Sequence, residues 1–155
     1  MSTLTVTHTE SLSLNGADRG SVKTLIIDGI ASVYETVFTV STVNMNILKF
    51  ANNPAGSSNF KLDTDKTKYI RFSNLDDTSK IYLAFSKERD SDVNNAEIFQ
   101  ITILPGESFV ISSPENYMDV TTGSDTPAYD FGSLAAVAAK SDSGTPSLEI
   151  FAAGI

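Results

Sequence analysis

The residues able to do chemistry in this chain are few and poorly grouped. Its one histidine, His8, stands among threonines in Leu4-Thr-Val-Thr-His-Thr9. A hydrolytic triad needs an imidazole beside a hydroxyl or thiol, with a third group to orient it. No such partner motif surrounds His8, so it reads as a strand residue facing a half-polar surface. Cysteine is absent, which removes thiol nucleophiles, disulfides and cysteine-bound zinc. One histidine also leaves any histidine-based zinc cage short of ligands.

Paired carboxylates could serve glycoside hydrolysis. The nearest pairs are Asp63/Asp65, Asp76/Asp77 and Asp90/Asp92. All three are expected in loops, where Asp caps backbone amides. The chain has no tryptophan to make a platform beside them, so turn chemistry is the better reading. Asp90-Ser-Asp92-Val-Asn94 opens like a calcium-binding EF-hand loop. It then fails, because Asn95 replaces the turn glycine and Ile101 the bidentate glutamate. Asp63-Thr-Asp65-Lys66 fails sooner, with Lys66 and Lys68 adding positive charge. Phosphate-cradling glycine motifs and the GxSxG elbow are missing. Tyr34, Tyr69, Tyr82, Tyr117 and Tyr129 could offer a sugar platform, although packing at a core edge is their ordinary role. No catalytic, cofactor-binding or metal-binding residue is therefore expected, and the chain is expected not to be an enzyme.

The rest of the composition agrees with a binding or structural role. The 155 residues suit one domain, expected over 1–155, with 1–15 as an amino-terminal arm or strand. That length buries a hydrophobic core without staples. Net charge is −8. The basic residues are scattered, and Glu88, Asp90 and Asp92 dilute the one local group of Lys80, Lys87 and Arg89. Nucleic acid attracts clustered Lys and Arg, so direct nucleic-acid binding is not expected. No apolar run reaches the length of a membrane span. The start, Met1-Ser-Thr-Leu-Thr-Val-Thr-His8, has neither the basic nor the apolar region of a secretory leader, so a signal peptide is not expected.

The elements that would carry such a surface are strands. Leu4, Val6 and His8 alternate with Thr3, Thr5, Thr7 and Thr9, and Leu12 and Leu14 continue the first row. Asn15-Gly16 is a strong turn signal. Strands are expected over Val22–Ile30, Val33–Val40 and Val43–Phe50, then a loop at Asn52–Ser58. Tyr69–Phe72 and Ile81–Phe85 are expected to form one hairpin through Asn74–Ser79, and Ile98–Leu104 and Phe109–Ile111 a second through Pro105-Gly106. A loop is expected from Lys87 to Asn95, and a long excursion from Ser112 to Gly132. Leu134–Ala139 is rich in alanine, a helix former, but its length favours a strand. Leu148–Ala152 closes the series. The expected fold is all-β, an antiparallel β-sandwich or jelly-roll-like arrangement of about nine or ten short strands.

Four segments carry a family resemblance: Leu4-Thr-Val-Thr-His-Thr-Glu-Ser-Leu-Ser-Leu-Asn-Gly16, Tyr69-Ile-Arg-Phe-Ser-Asn-Leu-Asp-Asp-Thr78, Leu104-Pro-Gly-Glu-Ser-Phe-Val-Ile111 and Ser147-Leu-Glu-Ile-Phe-Ala-Ala153. In this order they resemble small virion structural proteins of tailed bacteriophages, the marine and cyanobacterial type. The resemblance spans most of the chain but not Leu134–Lys140 or Asn52–Ser58. Its motifs are strands with their turns and carry no catalytic residue to transfer. It implies a non-enzymatic virion protein made and assembled in the host cytoplasm. Its partners would be other virion proteins, either the major capsid protein or neck and tail proteins, and further copies of itself. Capsid decoration is the leading expectation. A neck or tail component and a carbohydrate-binding sandwich for host attachment are the alternatives. The first strand would either fold back on its own chain or add to a neighbour's sheet edge.

Overall fold

Period-two alternation builds strands, and strands dominate the computed structural model, which describes residues 2–51, 61–64, 66–87, 98–112 and 134–155. The strands are β1 (Ser2–Glu10), β2 (Ser13–Leu14), β3 (Ala17–Asp18), β4 (Ser21–Ile30), β5 (Ser32–Thr39), β6 (Met45–Ala51), β7 (Lys61–Asp63), β8 (Thr67–Asn74), β9 (Ile81–Lys87), β10 (Ile98–Ile103), β11 (Ser108–Ser112), β12 (Leu134–Ser141) and β13 (Ser147–Gly154). No helix occurs among the described residues. The expected loops at Asn52–Ser58 and after Lys87, and the excursion after Ser112, lie outside them. The alanine-rich segment is a strand, β12. Thirteen strands occur among the described residues, against the nine or ten expected. The additions are short: β2 and β3 have two residues each and β7 three, too few for a periodicity to register.

Two sheets face each other. One runs β10-β9-β12-β6-β7 and the other β11-β8-β13-β5. Among the described residues every pairing is antiparallel except that of β6 with β7. Neither sheet closes into a barrel. The shared core takes Ile70, Phe72 and Ile150 from one sheet and Ile81, Leu83 and Phe85 from the other, all essentially without solvent contact. Phe72 meets Phe85 edge-on across the gap, with ring centroids 5.8 Å apart.

Both expected hairpins of the middle segment are overturned. β8 and β9 lie in different sheets, as do β10 and β11. Alternation announces a strand but not its partner. The corners explain the crossing. The Asn74 side-chain amide is buried and donates to the Ser79 carbonyl at 2.8 Å and the Ile103 carbonyl at 3.4 Å. The Asn74 N–H donates to the Glu107 carbonyl, and the Gly106 N–H to the Asp76 carbonyl. The two connections therefore brace each other at one end of the sandwich. The hairpin that does form is β9 with β10, pairing Phe85 with Phe99.

Candidate functional site

The segment that departs from the two-sheet body is the amino terminus. β1 folds back on β4 of its own chain, with Leu4 opposite Ile27, Val6 opposite Leu25 and His8 opposite Lys23. At the tip, Asn15 and Gly16 have φ of 52° and 76°. Two consecutive left-handed residues make the primed hairpin turn that Asn-Gly favours. Just below it, the Arg19 N–H donates to the Leu12 carbonyl at 2.8 Å, and the Gly20 N–H to the Asp18 carboxylate at 2.8 Å. A side chain at Gly20 would strike the Glu10 carbonyl.

The ribbon lies across the outer face of the four-stranded sheet. Register places Val33, Ala153, Tyr69 and Ser112 in one row across that sheet, and Glu35, Phe151, Arg71 and Val110 in the next. The inward residues Leu4, Val6, Leu25 and Ile27 pack on Tyr69, Phe151 and Ala153. Tyr69 is buried there and meets Phe151 edge-on at 6.0 Å. Burial pushes its phenol pKa up, against the opposing charge of Arg71. Arg71 donates to the Glu149 carboxylate at 2.6 Å and stands 5.5 Å over the Phe151 ring. Further out, Val6, His8, Lys23 and Leu25 line a groove of about 250 Å³ against Tyr69 and Val110. Beyond it the ribbon leaves the body, and every residue from Thr7 to Gly20 is exposed.

Among the described residues the chemistry-bearing side chains do not converge. The His8 side chain is 73% exposed and lies 3.7 Å from the Glu10 carboxylate. Asp63 ends β7 rather than lying in a loop as expected, and stands 3.7 Å from Lys66. It entered a strand because Lys61–Asp63 finds a parallel partner in β6 that no local pattern announces. Asp76 accepts the N–H groups of Ser79 and Thr78 and the Thr78 hydroxyl. Those backbone donors hold its carboxyl below the usual carboxylate range. Asp77 is exposed in the same turn. Asp65, Asp90, Asp92, Tyr117 and Tyr129 lie outside the described residues. Tyr82 stacks under Lys140 at 5.6 Å. Among the described residues no three His, Cys, Asp or Glu side chains gather as a metal site.

What the surface offers instead is apolar area. Leu12, Leu14, Val22 and Ile26 on the ribbon, and Val33, Val37 and Val110 on the sheet beneath, are all large and exposed. Alternation predicted which residues share a row on β1. It held no signal that the ribbon would run across another sheet, because the contact with Tyr69 and Phe151 is made over long sequence separation. No family model, curated protein or solved structure matches the chain.

Proposed function

We propose that this chain is a non-enzymatic structural protein of a bacteriophage particle, built on a jelly roll and acting through repeated protein–protein contacts. The supporting observation is the order in which the chain visits its sheets. From β5 onward it goes once to the four-stranded sheet, twice to the five-stranded sheet, back, again twice to the five-stranded sheet, and then alternates to the end. The strand orders β11-β8-β13-β5 and β10-β9-β12-β6 are compatible with two interlocked Greek keys. This is the double-sheet arrangement that recurs in viral capsid and lectin domains. Fold alone does not assign function. The scattered titratable groups and the exposed apolar surface argue for contact rather than turnover.

Capsid decoration is the station we favour, with neck or tail as the alternative. Mass spectrometry of purified particles tests the reading. The protein should be present, and in far more copies for decoration than for a neck part. Its absence from particles would overturn the proposal.

One feature favours a second reading, carbohydrate binding. An open cleft of about 240 Å³ at the strand ends is lined by Tyr34, Lys61, Asp63, Lys66 and Thr67. An aromatic ring beside polar groups is the composition of a sugar site. A glycan array without saturable binding would remove it.

A further inference from the structure

We infer that two copies of this chain join through β5, edge to edge, about a twofold axis at Thr36. The inference does not depend on where the protein works. β5 is the outermost strand of its sheet, with β13 on one side and no strand on the other among the described residues. It is the longest outer strand of the two facing sheets: β5 has eight residues, β10 six, β11 five and β7 three. Its register with β13 runs from Ser32 to Thr39 without a bulge. Natural edges are usually blunted by lysine, proline, bulges or shortness. β5 has none of these, and its only charged residue is Glu35.

The strand is complementary to itself with the axis at Thr36. Two strands of one sheet related by a twofold axis perpendicular to it must pair residues of the same parity, because opposed side chains share a face. With Thr36 opposite Thr36 of a second copy, Tyr34 meets Phe38, Glu35 meets Val37 and Val33 meets Thr39. Aromatic pairs and Thr–Thr pairs are favourable cross-strand neighbours. Centring on Glu35 instead would oppose two carboxylates in a chain whose net charge is already −8. The outward row also supplies apolar surface to cover, since Val33 is 60% and Val37 56% exposed.

The ribbon does not obstruct this pairing. It leaves β5 through Ala31 and heads over β13, β8 and β11, away from the free edge. The joined object would carry one eight-stranded sheet, with the two ribbons pointing outward from the axis. The seven-residue ladder from Val33 to Thr39 is about 23 Å long. That is a narrow strip beside the roughly 1,600 Å² of a standard interface, so the association is weak and depends on concentration.

Sedimentation velocity of the full chain from micromolar to millimolar concentration tests this. The wild type should shift from monomer to dimer. Val37→Glu places a carboxylate opposite Glu35 of the second copy on both sides of the axis, and should weaken the dimer about tenfold or more. The double variant Glu35→Lys/Val37→Glu sets Lys opposite Glu in the same register and should restore it. Both variants carry the same new carboxylate beside Glu149 of their own chain, so a change confined to folding would affect both alike. Thermal melts would confirm that each is folded. A wild type that stays monomeric throughout, a dimer indifferent to Val37→Glu, or a double variant that fails to recover would each overturn the inference.

Discussion

The two-sheet body and the ribbon are made of the same alternating sequence, yet they are held by different means. In the body, each inward residue meets another sheet, and Phe72, Phe85, Ile70 and Ile150 lose all or nearly all their solvent contact. In the ribbon, only the base meets a second layer. Leu4 and Val6 are half-buried on Tyr69 and Phe151, while Leu12 and Leu14 remain about half exposed. A two-stranded ribbon is marginal in water by itself. The contrast shows that alternation is only half of a strand's stability. The other half is the surface that alternation is given to pack on.

The sharpest way to break the comparison is at the body's centre. Phe72→Ala should cost about 3–5 kcal/mol and lower the urea midpoint for the whole molecule, ribbon included. Removal of β1 and β2, so that the chain begins at Asn15, should cost about 2–3 kcal/mol, from the lost burial of Leu4 and Val6. The body should still unfold as one cooperative unit by calorimetry. Ultraviolet titration of the same chain should show Tyr69 ionising at lower pH than in the wild type, since its cover has gone.

Gly16→Ala separates the regions more finely. The left-handed backbone at Gly16 penalises any side chain by about 1 kcal/mol, and a Cβ there would touch nothing. Faster hydrogen exchange in the tip with an unchanged melting temperature is the expected result. A lowered melting temperature would mean that the tip and body are coupled.

The smallest effect is that of Asp76→Asn in the bracing corner. The folded carboxyl has a depressed pKa, so its stabilisation is complete above the unfolded-state value and fades as pH falls through the folded one. The wild type should therefore lose stability on acidification through that window, and the Asn variant should lose less. Urea midpoints at a series of acidic pH values would show the difference.

Much of this was legible because Tyr69–Phe72, Ile81–Phe85 and Leu148–Ala152 put apolar residues at every second position. Asn15-Gly16 was legible because its backbone preference is local. The partners of the strands were not. β8 and β9 look like a hairpin in sequence, but the chain crosses to the other sheet at a corner braced by the buried amide of Asn74, which reaches to Ile103. β7 was invisible because three residues carry no period. The candidate surface was half legible. The threonine and apolar rows of β1 follow from alternation, but the row of Tyr69, Phe151 and Ala153 beneath it exists only once β8 and β13 are neighbours.

The joint between ribbon and body has a mechanical consequence. Only Ala31 separates β4 from β5, and its N–H donates to the Gly154 carbonyl at 2.9 Å. Gly29, two residues earlier, turns in the left-handed region with φ of 76°. There is no slack in this joint for the ribbon to swing like a tether. A pull on the tip would pass straight into the end of β5, loading first the Ala31–Gly154 bond and then the ladder with β13. The ribbon is a lever rooted in the sheet, and whatever grips its tip takes hold of the whole molecule.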